Sequence, residues 1–174
     1  MKFITEPKLD FEDVLLEPKR SDIASRNDVN IERTIRFKHS GRKWTGVPIM
    51  TSNMDTTGTI EMYRVLRKYK MITCFHKFYK YEELKPLYDA GELDPNYYML
   101  STGIREDDWM NTRYMIEAFE PYFLMIDVAN GYSTKFIEFC RKVREEYPAL
   151  TIFAGNVATG DMVQELILYA KVDV

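Results

Sequence analysis

The sequence predicts an α/β fold: a (β/α)8 TIM barrel, with residues 1–174 holding about the first five βα units and the start of the sixth strand. Three observations carry this. Short apolar runs at 46–50, 71–75, 97–100, 122–127 and 151–154 each end in a polar or glycine loop, and helical periodicity follows most of them. The run Phe123-Leu124-Met125-Ile126 is apolar until Asp127, as expected of a strand buried on both faces of a parallel sheet. No Gly-x-Gly-x-x-Gly follows any strand, which removes the commonest reason to prefer the alternative, a doubly wound open sheet of six strands.

The elements follow in order. Residues 1–45 read as a lead-in to a single domain, with a polar loop at 19–30 and a short strand or hairpin arm at 29–37. The first buried strand, 46–50, ends in Thr51-Ser52-Asn53-Met54-Asp55. A helix over 58–70 should turn Ile60, Tyr63, Val65 and Leu66 inward, with Asp55 as its cap. The second strand, 71–75, closes in His76-Lys77, and 81–89 is a helical or irregular crossover containing Pro86. The third strand, 97–100, closes in Ser101-Thr102-Gly103, and a helix over 107–119 leads to the fourth, 122–127. Asn130-Gly131 marks a tight turn. Ser133 is placed to cap the next helix, where Phe136, Cys140, Val143 and Tyr147 form one apolar stripe. After the fifth strand, 151–154, comes a helix over 161–170 with Met162, Leu166 and Ile167 inward. Residues 171–174 begin a sixth strand. A closed barrel needs ~250 residues, so the remaining strands are expected from further sequence, since open strand edges invite aggregation.

Composition narrows the function without supplying it. With 24 Lys plus Arg against 27 Asp plus Glu, the net charge of -3 offers no field for a polyanion, so nucleic acid is not an expected partner. No run of about 18 apolar residues suggests a membrane span, and no signal peptide is read at the start. Two cysteines, Cys74 and Cys140, are too few and too far apart for a disulfide framework or a metal cluster, and a reducing cytoplasm fits them. Both read as core residues, inside a strand and on an inward helical stripe. With only His39 and His76, no metal-ligand spacing occurs.

Chemistry is expected at strand C-termini. Asp127 ends an apolar run, where an ionised carboxylate needs a partner; a structural cap and a functional acceptor both remain open. His76 and Lys77 offer an imidazole and an ammonium for proton transfer or anion binding, although either can be solvated. Asn53 and Asp55 lie beside a helix start that could hold an anion. Gly155-Asn156 and Thr159-Gly160 could cradle a phosphate or amide, and Ser25-Arg26 reads as surface loop.

At these same loops the sequence resembles the inosine monophosphate dehydrogenase and guanosine monophosphate reductase family. The resemblance runs through Leu9-Asp10-Phe11-Glu12-Asp13-Val14-Leu15-Leu16-Glu17-Pro18-Lys19-Arg20-Ser21, Asn53-Met54-Asp55-Thr56 and Phe75-His76-Lys77. It continues through Asp127-Val128-Ala129-Asn130-Gly131-Tyr132-Ser133 and Ala154-Gly155-Asn156-Val157-Ala158-Thr159-Gly160. The wording is nearer the reductases, and the short crossover after Lys77 lacks the regulatory insertion usual in the dehydrogenases. The resemblance implies a barrel, a homotetramer and NADPH-dependent conversion of GMP to IMP and ammonia through a cysteine thioimidate. It matches Lys77 to a lysine of deamination and cofactor contact, and Asp127, Val128 and Ala129 to the nicotinamide-binding strand end. Ser25 and Arg26 match a pair reaching NADPH across a subunit interface, and Ser52, Met54 and Asn156 match the nucleotide pocket. The nucleophilic cysteine, the potassium ligands and most phosphate ligands are expected beyond residue 174. Two alternatives stay open: an IMP dehydrogenase lacking its insertion, and a non-catalytic half-barrel that binds nucleotide or joins an assembly.

Overall fold

The computed structural model describes residues 5–174. Their contacts divide into two compact units, one ending at Ile31 and the other Glu32–Val174. In the first, Asp10 caps a 3-10 turn, Phe11–Asp13, and Ser25 caps another, Arg26–Asp28, its hydroxyl accepting the Asn27 N–H at 3.2 Å.

The second unit opens with an antiparallel hairpin, β1 (Arg33–Arg36) and β2 (Lys43–Gly46). Four parallel strands follow in sequence order: β3 (Thr73–Cys74), β4 (Tyr98–Thr102), β5 (Phe123–Asp127) and β6 (Thr151–Gly155). Between and after them run α1 (Ile60–Leu66), α2 (Tyr81–Asp89), α3 (Glu106–Phe119), α4 (Thr134–Glu146) and α5 (Gly160–Leu168). The sheet continues at both edges. Met50 bridges Ile72 in parallel on one side; on the other, Asp173 and Val174 N–H groups donate to the Ile152 carbonyl at 2.9 and 3.2 Å.

Side chains alternate across a strand, and here the alternation sorts the core into two clusters. Tyr98, Leu100, Leu124, Ile126 and Ile152 face the helices, joining Tyr63, Leu84, Trp109, Phe119, Phe136, Cys140 and Leu166. Ile72, Cys74, Met99, Phe123 and Phe153 face the other way and pack with Phe37 and Trp44 of the hairpin. All five helices therefore contribute to one cluster, and strand neighbours follow chain order without reversal. A doubly wound sheet puts helices on both faces and reverses its order at a switch point. Sequential order with helices on one face is the arrangement of a barrel wall.

The structure corrects several expectations. Residues 46–50 are not a buried strand: Gly46 ends the hairpin arm, and Ile49 and Met50 are 56% and 40% exposed, with Met50 held to the sheet by one bridge. The regular parallel sheet thus has four strands rather than five. Val65 is exposed, because it lies about 200° around the helix from buried Tyr63. The cap of α1 is Thr59, whose hydroxyl accepts the Met62 N–H at 3.2 Å, and not Asp55. β4 runs two residues further than its apolar run, because its polar end finds partners inside: Ser101 Oγ donates to the Phe75 carbonyl at 2.5 Å. The α4 stripe lies as expected, with Phe136, Cys140 and Val143 fully buried and Ser133 Oγ accepting the Phe136 N–H.

Candidate functional site

In a parallel sheet all strand C-termini share one rim, and the loops that follow them can converge there. β5 delivers Asp127 to this rim half-buried. Its carboxylate is gripped from both sides: Asn53 Nδ2 donates to Oδ2 at 2.9 Å, and Asn156 Nδ2 donates to Oδ1 at 3.1 Å. Asn53 comes from the segment after residue 50, and Asn156 follows β6, so three segments meet on one charge. Among the described residues no cation pairs with it. A charge supported by neutral donors keeps acceptor capacity for a further N–H group.

The loops after β5 and β6 are zipped by backbone. Val128 N–H donates to the Gly155 carbonyl and Asn156 N–H to the Val128 carbonyl, both at 2.8 Å, and Gly131 N–H donates to the Asn156 carbonyl at 2.9 Å. Asn156 Nδ2 also reaches the Val128 carbonyl at 3.1 Å. Gly131 is required by this approach: a Cβ there would sit 2.7 Å from the Asn156 oxygen and 2.8 Å from Val157 Cγ1. The Asn130-Gly131 turn is therefore a contact as well, and the Asn130 side chain accepts the Tyr132 N–H at 3.0 Å. The Gly155–Asn156 peptide bond is cis.

A cavity of about 330 Å³ opens beside this junction. Ser52, Asn53, Asp127 and Asn156 supply its polar lining, and Met125 and Phe153 its apolar floor. Of the residues singled out in the sequence, Ser52, Asn53, Asp127 and Asn156 come together here. Met54 is 57% exposed and does not line the cavity. Val128 takes part through its backbone, and Ala129 is exposed at the start of the loop. Ser25 and Arg26 belong to the first compact unit, where Ser25 caps and Arg26 opens an exposed 3-10 turn.

Lys77, after β3, is on the same rim but outside the cavity lining. Its ammonium lies 2.9 Å from Asp108 Oδ2, with the two side chains 34% and 21% exposed. Asp108 sits in the first turn of α3, where the positive end of the helix favours a carboxylate. His76 stacks on Tyr79 with ring centroids 4.0 Å apart, and its Nδ1 is buried with no partner among the described residues.

Neither cysteine suits a nucleophile. Burial pushes the Cys74 thiol well up, with the Asp127 charge acting in the same direction, and burial pushes Cys140 up to about 12. A thiolate nucleophile needs the opposite environment.

Three functional groupings escaped the sequence. Asp108 could have been flagged as an acid in the first turn of a helix beginning beside a strand end. The Asn53–Asp127 bond spans 74 residues and left no local signal. Tyr132 reaches across to the loop after β6, where its hydroxyl accepts the Ala158 N–H at 2.8 Å and donates to Thr159 Oγ1 at 3.1 Å.

Residues 8–174 match the family model for the IMP dehydrogenase / GMP reductase domain. The chain is 49% identical to a GMP reductase of Caenorhabditis elegans over 165 residues, which is 94% of this chain and 46% of that protein. It is 46% identical to a GMP reductase of Salmonella arizonae over 171 residues, covering 97% of this chain and 49% of that protein. A GMP reductase of Ascaris suum is 46% identical over 167 residues, 94% of this chain and 47% of its own length. The chain spans about half the length of these curated relatives. With its parallel sheet, one-sided helices and a family match over nearly every residue, the chain belongs to the IMP dehydrogenase / GMP reductase domain family.

Proposed function

We propose that residues 1–174 supply the cofactor side of an NADPH-dependent GMP reductase. GMP, NADPH and two protons would give IMP, NADP+ and an ammonium ion. The observation that carries this reading is Asp127, an ionisable acceptor held by two amides at the mouth of a 330 Å³ cavity. Its reductase character is supported by relatives named GMP reductase at 46–49% identity.

The residues fit the nicotinamide end of the cofactor. Asp127 retains acceptor capacity for carboxamide N–H groups, no cation among the described residues pairs with it, and Met125 and Phe153 offer an apolar floor. When bound, NADPH supplies the hydride. The chain's own residues do the rest: Asn53 and Asn156 fix the carboxylate, Asp127 orients the carboxamide, and Ser52 and Asn156 face the nucleotide side, with Met54 nearby in sequence. Val128 and Ala129 continue the wall at the end of β5. Lys77, held at the rim by Asp108, delivers a proton to the departing amine. With Cys74 and Cys140 buried and their thiols raised, the thioimidate-forming cysteine must come from other sequence. The reading assigns the potassium ligands there too. It also carries a cytoplasmic homotetramer in which Ser25 and Arg26 reach the NADPH of a neighbouring copy; among the described residues no helix is long and apolar enough to cross a membrane.

The test uses this chain joined to, or co-expressed with, sequence matching the remaining half of the relatives. GMP-dependent NADPH oxidation that forms IMP supports the reading. NAD reduction with IMP and no GMP turnover would select an IMP dehydrogenase instead, and nucleotide binding without either turnover would select a non-catalytic half-barrel.

A further inference from the structure

The Tyr132 hydroxyl is the outermost tie between the two loops that carry the candidate site. It accepts the Ala158 N–H and bonds Thr159 Oγ1, bridging 26 and 27 residues of sequence. Two further facts show that the tie displaces ordinary local structure. Thr159 is the N-cap of α5, yet its side chain makes no capping bond and its hydroxyl is engaged with Tyr132. A free N-cap threonine would ordinarily accept an N–H of the first turn. Tyr132 itself is 42% exposed, so its ring has not been placed there by core packing, and removing its hydroxyl leaves no buried polar group behind.

The tie also closes a circuit. Gly131, next to Tyr132, donates to the Asn156 carbonyl, and Asn156 donates through its side chain to Asp127 and the Val128 carbonyl. Asn156 is exposed and lies at the start of the 156–159 loop. The far end of that loop is tied to the loop after β5 by Tyr132.

We propose that Tyr132 is a positioning residue: its hydroxyl latches the loop after β6 onto the loop after β5 and so keeps Asn156 aimed at Asp127. This rests on the reading of Asp127 as the cofactor acceptor. In that reading Tyr132 touches neither cofactor nor substrate, and acts only through Asn156.

The test begins with amide exchange and side-chain NMR on this chain, which need no turnover. Tyr132→Phe keeps the ring and removes both bonds, so the Ala158 amide should exchange about tenfold faster, with a shift of the Asn156 side-chain amide resonances. Amides of α4 serve as the control for intact folding. Thr159→Val should give a smaller version of the same change, less than additive with Tyr132→Phe, and Thr159→Ser should restore it. In the protein completed by the relatives' remaining half, Tyr132→Phe should raise KM for NADPH about fivefold or more while kcat falls less. Unchanged Ala158 exchange would overturn the latch, and faster exchange with an unmoved Asn156 resonance would overturn its positioning role. Absence of GMP turnover in the unsubstituted protein would instead sink the functional reading, and the exchange result would still decide the latch.

Discussion

Asp127 sits between two amide donors, and its neutral isostere shows what those donors require. In Asp127→Asn one carboxylate oxygen becomes an NH2 that must face the Nδ2 of Asn53 or Asn156, donor against donor. Hydrogen bonds to a charged group contribute ~1.5–3 kcal/mol each. At this half-buried position the loss should be about 1–2 kcal/mol in urea unfolding, and NADPH binding by the completed protein should be lost with it. Unchanged stability would mean that the two amide bonds hold nothing. Asp127 could be flagged here because an acid ended an apolar run, and Asn53 and Asn156 stood out in their own loops; their meeting on Asp127 could not be read, because they lie 74 and 29 residues away. Lys77 likewise stood out as a cation at a strand end, while its pairing with Asp108, 31 residues on in the first turn of α3, left no local signal.

At the level of elements, the loops after β5 and β6 approach so closely that only glycine fits at 131. Gly131→Ala would drive a Cβ to 2.7 Å from the Asn156 oxygen, which is backbone and cannot swing aside. Overpacking of this kind costs ~1–3 kcal/mol. The expected outcome is that loss in thermal or urea unfolding, together with displacement of Asn156 detectable in its side-chain resonances; an unperturbed Asn156 would show the two loops to be independent. Helices were more legible than the first strand. Phe136, Cys140 and Val143 repeat at helical spacing and all are buried, because burial of one stripe is what selects that sequence. Residues 46–50 are apolar for a different reason. Gly46 closes the hairpin, and Ile49 and Met50 lie at an exposed sheet edge, where an apolar run looks the same as in a core strand.

Across the whole second unit, one buried ion pair ties the hairpin, α4 and the last edge of the sheet together. Arg144 and Asp173, with side chains 7% and 0% exposed, meet at 2.6 Å. Arg144 also donates to the carbonyls of Lys171, Pro148 and Leu150. Asp173 accepts the N–H groups of His39, Ser40 and Ile152. Burial holds the Arg144 pKa below its ordinary value, and the Asp173 charge beside it works the other way. Arg144→Met should therefore cost about 3–5 kcal/mol by leaving Asp173 uncompensated, read as a shift of the urea midpoint; a loss under ~1 kcal/mol, the range of surface pairs, would show that the pair is not a structural tie. Its trace in the sequence is an arginine in register with Phe136 and Cys140, at i+8 and i+4, on a face otherwise apolar. The barrel character of the sheet was legible from strand–helix alternation, and the one-sidedness of its helices was not, since amphipathic helices look alike on either face of a sheet.

In the proposed function this strand rim forms the cofactor side of a GMP reductase, with Lys77 as its proton donor. The most direct measurement is GMP-dependent NADPH oxidation by this chain combined with the half of the relatives it does not span, before and after Lys77→Ala. IMP and ammonium should be the products, with a loss of kcat of about a hundredfold or more on substitution and a smaller change in GMP affinity. No GMP turnover by the combined protein would contradict the claim, and turnover indifferent to Lys77→Ala would remove Lys77 from it.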